Sequence, residues 1–170
     1  MTEKYFKHLK QFPKLSDFYI KEALEQKYQF ITEPSTLYCA NTSFHKSPFF
    51  KELQKHFRCG TRYFGNPPHS LYDWHKDNKR SCAINWLIKT NEKSSCFYRE
   101  PSVTSEKPSI FYNLIEVDYD LYHPVLLNTQ LDHCVVNHYN DTRIILSVSL
   151  FDVTYEEAIQ KLENINCKEY

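Results

Sequence analysis

Glycine is almost missing from this chain: Gly60 and Gly65 are the only two in 170 residues. So little glycine leaves scant room for loops that cradle phosphates with bare backbone. Neither a P-loop nor a dinucleotide-binding glycine pattern occurs, and there is no serine-hydrolase elbow. Charge of one sign is not in excess either. Lys+Arg and Asp+Glu both number 21, so the formal net charge is zero. Nucleic-acid binders usually show a basic surplus, and its lack argues against a nucleic-acid partner. No stretch approaches the roughly 18 apolar residues that span a bilayer, and no apolar leader opens the chain. The expectation is a soluble, cytoplasmic protein without a membrane partner. Six cysteines are scattered (Cys39, Cys59, Cys82, Cys96, Cys134, Cys167) with no CxxC pair. That spacing does not make a structural zinc site; it reads as reduced thiols, several of them in apolar runs.

Aromatic residues, by contrast, are plentiful: 13 Tyr, 12 Phe and 2 Trp. The length suits one domain, residues 1–170, with a core of its own. Residues 1–58 read as a mostly helical support. In "LSDFYIKEALEQKY", Ser16 or Asp17 can cap a helix with Phe18, Ala23, Leu24 and Tyr28 at helical spacing. In "KSPFFKELQKHF", Ser47 caps, Pro48 takes the first turn, and Phe49, Phe50, Leu53 and Phe57 share a face. "TLYCANTSF" between them can be a strand. From Gly60 the texture changes to seven or eight short β-type runs separated by turns, the pattern of a sandwich or small barrel over residues 59–153. "VTYEEAIQKLENI" closes the chain with a helix within 154–170, with a Thr154/Glu157 capping box and a Tyr155, Ala158, Leu162, Ile165 stripe.

Two patterns carry chemistry. In "RIILSVSL" one strand face is aliphatic (Ile144, Leu146, Val148, Leu150). The other holds Arg143, Ile145, Ser147 and Ser149, as expected where a polar pocket lies under one face and helices cover the other. In "YDWHKDNKR", His75 and Asp77 are two apart at a strand end, so both can aim into one volume, with Lys76 pointing away. A later histidine would complete a two-His, one-carboxylate set, which suits Fe(II) and leaves positions open. His133, at the head of "HCVVN", is the best candidate, and Arg143 follows ten positions later. The polar "HYND" between the two runs suggests a hairpin that returns Arg143 to the same pocket.

His75-x-Asp77, His133 and Arg143 together resemble the Fe(II)/2-oxoglutarate-dependent oxygenase superfamily. "PVLLNTQLDHCVVNHYNDTRIILSVSL" is similar to the closing part of aspartyl/asparaginyl β-hydroxylase-like and prolyl-hydroxylase-like members. The resemblance covers residues 60 to 153 and implies a mainly β double-stranded β-helix, a cupin-like jelly roll with flanking helices. It also implies Fe(II) on His75, Asp77 and His133, and 2-oxoglutarate as co-substrate with its C5 carboxylate on Arg143. Hydroxylation of a small-molecule or peptide substrate would release succinate and CO2. Some β-hydroxylases of this type lack the metal carboxylate, whereas this chain has Asp77, so their substrate preference does not transfer.

Each assignment has a plainer rival. His75 and Asp77 could be a surface pair, and Arg143 could salt-bridge Asp141 or Asp152. Ser147 shares the Arg143 face and could donate to the same carboxylate. Asn85 either lines the pocket or pairs with backbone. Arg80 meets an acidic substrate or faces water. His138 competes with His133 but falls in a turn, and His123 before Pro124 reads as structural. Tyr63, Tyr72, Tyr98 and Tyr112 are candidate pocket phenols, although most of the tyrosines must be packing. At the level of the whole protein, the rivals are a non-catalytic jelly-roll binding or virion module and a cupin-type metalloenzyme that does not use 2-oxoglutarate.

Overall fold

The structure, a computed structural model, describes residues 3–30, 37–90, 94–100 and 113–165. Its elements run β1 (Phe6–His8), α1 (Asp17–Glu25), β2 (Gln29–Phe30), β3 (Tyr38–Ala40), a 3-10 turn (Ser43–Lys46), α2 (Pro48–His56), β4 (Arg58–Asn66), β5 (Ser70–His75) and β6 (Cys82–Lys89). They continue with β7 (Ser94–Glu100), β8 (Asn113–Glu116), β9 (Pro124–Asn128), β10 (His133–Asn137), β11 (Arg143–Phe151) and α3 (Tyr155–Glu163). Strands dominate, in two antiparallel sheets: seven strands in the order β1-β9-β6-β11-β4-β3-β2, and four in the order β5-β10-β7-β8. This is the mainly β jelly roll with flanking helices that the turn-punctuated runs imply.

Two apolar layers hold it together. Outside the larger sheet, Ile84, Trp86, Leu146, Val148 and Leu150 pack with Ala23 of α1, Leu53 of α2 and Leu162 of α3. Between the sheets, Phe6, Val125 and Leu127 meet Cys96, Tyr98 and Val135. β6 is therefore covered on both faces, and Cys82 through Ile88 are all buried. That double cover is why its sequence reads as an almost unbroken apolar run. The helix ends are built as the sequence indicates. The Ser47 hydroxyl accepts from the Phe50 amide with Pro48 in the first turn, and Thr154 and Glu157 form a reciprocal capping box.

Three expectations change. The first 58 residues are less helical than expected: β1, which was not anticipated, pairs with β9, while the strand anticipated in "TLYCANTSF" is present as β3 and joins β4. β1 and β2, at three and two residues, are too short to show a period of two. In α1, Phe18 and Leu24 face water at 64% and 52% exposure, whereas Ala23 is buried with Tyr19 and Ile20 packed beside it. The third change concerns β10 and β11, which do not form a hairpin. β10 pairs with β5 and β7, and β11 pairs with β4 and β6. Both edges of each strand are already taken, so the link between them crosses from one sheet to the other. Buried Asn137 ties this corner, donating to the carbonyls of Asn66, Pro67 and Asp141 at 3.0, 3.0 and 2.8 Å. Arg143 reaches the interior by facing across the sandwich. Cys39, Cys59, Cys82, Cys96 and Cys134 are free thiols; Cys167 and Tyr112 lie outside the described residues, and among those residues no helix is long and apolar enough to cross a membrane.

Leu146 is fully buried, so Leu146→Ala is expected to cost about 2–5 kcal/mol in urea unfolding. Phe18→Ala, on the wet side of α1, is expected to change stability by less than about 0.5 kcal/mol.

Candidate metal centre

His133 opens β10 opposite His75, the last residue of β5, and their ring centroids lie 4.3 Å apart. Pairing resumes at Val135 opposite Tyr72, so Asp73 and Trp74 on β5 stand against the single Cys134 on β10. This bulge changes the parity of β5. Tyr72 and His75, three apart, both reach the interior, with ring centroids 4.2 Å apart. Bulges commonly re-aim a side chain in this way. Asp77 lies just beyond the strand, where its amide donates to the Thr129 carbonyl at 2.9 Å. Strand alternation therefore does not place it; this hydrogen bond does. His75, Asp77 and His133 each offer one ligating atom, all within 4.8 Å of one another.

The neighbours decide which atoms are offered. His75 Nδ1 contacts the Asp73 carbonyl at 2.6 Å, and His133 Nδ1 contacts the Leu131 carbonyl at 2.9 Å. A carbonyl oxygen can only accept, so each Nδ1 carries the proton and each Nε2 presents a lone pair. Burial, then the nearby His75, pushes the His133 imidazole down to about 4, so it is neutral and ready to ligate at ordinary pH. Arg80 Nε holds Asp77 Oδ2 at 2.6 Å, while Oδ1 faces His75 Nε2 at 3.8 Å. The residues thus fit a divalent ion: two imidazole nitrogens and one carboxylate oxygen, each oriented by a partner.

A cavity of about 820 Å³ opens beside this cluster, walled by both sheets. Asn85 and Arg143 line it. Arg143 is 2% exposed. Its Nη1 is 3.5 Å from Asn66 Oδ1, its guanidinium lies 5.3 Å from the Tyr119 ring, and its Nε and Nη2 have no partner. The Asn85 side-chain oxygen is likewise buried without a partner. Buried polar atoms left unpaired are costly, and here they belong to the cavity wall. Ser147 is buried on the Arg143 face and, with Ser149, accepts from Arg80 Nη1 at 3.1 Å.

The remaining candidates divide. Tyr72 lines the cavity. Tyr98 is buried near His133 at 5.7 Å, whereas the Tyr63 hydroxyl turns away to Glu22 and the Tyr19 carbonyl. His138 is exposed, His123 sits 3.8 Å from Asp120, and Lys76 points to solvent. Arg80, read as meeting an acidic substrate or facing water, instead clamps Asp77 and reaches the β11 serines. One participant escaped the sequence reading: Tyr119 lies under Arg143, and its phenol is pushed up to about 12 by burial and then by neighbouring Cys96. Nothing distinguishes Tyr119 among 13 tyrosines.

No family model matches the sequence, and no curated protein matches it. Solved structures do match in fold. HygX from Streptomyces hygroscopicus, solved with nickel, 2-oxoglutarate and hygromycin B bound, superposes with a TM-score of 0.57 at 11% identity over 91% of this chain and 86% of that one. SnoN, a non-heme alpha-ketoglutarate-dependent epimerase from nogalamycin biosynthesis, gives 0.59 at 10% identity over 89% and 80%. SnoK, a carbocyclase of the same kind and biosynthesis, gives 0.56 at 12% over 89% and 81%. The chain shares the fold of these non-heme enzymes.

Removing the Arg80 clamp is expected to weaken metal binding: Arg80→Ala should lower Mn(II) affinity roughly 10–100-fold in a calorimetric titration. In metal-free protein, the unfolded chain takes up a proton at His133 near its ordinary pKa of 6.5 while the folded protein resists until about 4. The stability contribution from neutral His133 is therefore complete above 6.5 and lost as pH falls through that window. Denaturation midpoints measured from pH 7 to 4 should decline less in His133→Gln than in the unaltered protein.

Proposed function

We propose that the protein is an iron(II)- and 2-oxoglutarate-dependent oxygenase that hydroxylates its substrate. One observation carries this reading: a pre-oriented two-His, one-carboxylate cluster shares a cavity with a buried guanidinium that has two unpaired donors. The fold shared with HygX, SnoN and SnoK supports it. His75, Asp77 and His133 would hold the iron, in the facial arrangement that suits non-heme Fe(II) oxygenases. When bound, iron, dioxygen and 2-oxoglutarate supply the oxidising chemistry, with release of succinate and CO2.

The chain's own residues bind, orient and exclude water. Arg143 offers a fork of donors to the distal carboxylate of the co-substrate, the charge-assisted bidentate contact for which guanidinium geometry is suited. It lies on the larger sheet while both histidines lie on the smaller one, so the co-substrate would span the sandwich. Ser147, expected to donate to that carboxylate, is not among the residues that line the cavity and instead accepts from Arg80. Asn85 presents an unpaired oxygen on the same wall. Apolar Leu127 and Val135 also line the cavity, which keeps the dielectric low around these charges.

Incubation with Fe(II) and 2-oxoglutarate is expected to yield succinate, slowly even without substrate, and His75→Ala or Asp77→Ala should abolish it. Arg143→Ala is expected to raise the KM for 2-oxoglutarate by about tenfold or more while leaving Mn(II) affinity intact. Unchanged co-substrate affinity in Arg143→Ala would place the anchor elsewhere. Tight metal binding with indifference to 2-oxoglutarate would sink the oxygenase reading.

A further inference from the structure

The cavity wall is lopsided in charge. It carries Arg62, Lys79, Arg80 and Arg143 against a single carboxylate, Asp77, although the chain as a whole is neutral. Asp77 is committed, one oxygen to Arg80 and the other toward His75. Arg62 stands on β4 directly opposite Ser147 of β11, so it shares the cavity face with Phe64 and Asn66. It is exposed, and its polar contact is weak, Nη1 to Cys39 Sγ at 3.9 Å. Lys79 is exposed in the turn after Asp77. Among the described residues neither has a carboxylate partner, and what sets the two apart from other exposed cations is that both line this one cavity.

We propose that the molecule oxidised here is a small organic anion, a carboxylate or phosphate ester, received at the cavity by Arg62 and Lys79. This rests on the oxygenase reading and names its substrate class. With iron and co-substrate in place, the divalent cation and Arg143 are balanced by Asp77 and the doubly negative co-substrate. The wall as a whole then keeps a net positive charge; with Arg80 tied to Asp77, Arg62 and Lys79 are the cations left to meet an incoming anion, on which such a concave wall focuses its field. The volume allows a second occupant: about 820 Å³ stands toward the upper end of the roughly 300–1,000 Å³ typical of ligand pockets. Leu37, Phe64 and Phe151 line the same cavity and suit an apolar body behind the anionic head. A neutral or cationic substrate would leave Arg62 and Lys79 without a role.

The test uses the full chain loaded with Mn(II) and 2-oxoglutarate, so that no turnover occurs, and calorimetric titration with benzoate, phenyl phosphate and uncharged benzamide at low salt. Benzoate or phenyl phosphate is expected to bind at least tenfold tighter than benzamide, and the tighter of the two distinguishes a carboxylate from a phosphate head. Arg62→Ala/Lys79→Ala should erase that difference while its 2-oxoglutarate affinity stays unchanged, and Arg62→Lys/Lys79→Arg should restore it. Benzamide binding as tightly as the anions, or the double alanine variant keeping the preference, overturns the proposal. Arg143→Ala serves as the control. Loss of probe binding in it would mean that the anions had been reading the co-substrate socket, which also overturns the proposal. Failure of 2-oxoglutarate to bind sinks the oxygenase reading instead, and the two failures are separately visible.

Discussion

Everything in the candidate centre depends on how β10 lies along β5. The ladder sets His133 against His75, and the bulge at Asp73 and Trp74 then decides which β5 side chains face inward. A one-residue slip would send an imidazole to the opposite face. The register is held from both sides, because β10 also pairs with β7 over its whole length. The carbonyls of Asp73 and Leu131 add a second level of control by fixing each ring's tautomer. Backbone pairing and ring orientation are therefore specified by the same short stretches of chain.

The larger sheet does a different job. Its outer face is sealed by three helices and its inner face supplies polar groups from β4, β6 and β11. β11 shows the division most plainly. Leu146, Val148 and Leu150 are wholly buried against the helices, while Arg143, Ile145 and Ser149 face the cavity. Arg80 joins the two halves, with Asp77 on one side and the β11 serines on the other. Its planar fork can hold three oxygens at once, which a lysine in the same place could not do with comparable geometry.

Much of this was legible in the sequence because it rests on short-range periodicity. Alternation along 143–150 exposes the two faces of β11, and the His75-x-Asp77 spacing draws attention to a strand end. The caps at Ser47 and Thr154 are local chemistry. What escaped is set by tertiary closure. Whether β10 and β11 pair with each other or with strands far away cannot be read from the turn between them, since "HYND" suits a hairpin and a sheet-to-sheet corner equally. α1 misled for a related reason. With only nine residues it has room for more than one apolar stripe, and the sheet beneath it chose Tyr19, Ile20 and Ala23. Asp77 was found by a rule that does not in fact place it, because the residue sits past the end of β5, with its backbone held by Thr129 and its carboxylate by Arg80.

The placement of Asn137 at the corner between β10 and β11 has a mechanical consequence. It binds three carbonyls around one junction, and that junction separates the imidazole-bearing sheet from the guanidinium-bearing one. One amide at the rim thus fastens the corner where the chain passes between the two layers, beside the apolar packing that holds them together. Any dicarboxylate gripped at both ends would act as a cross-strut opposite this hinge pin. Occupancy of the interior and rigidity of the whole sandwich would then rise and fall together.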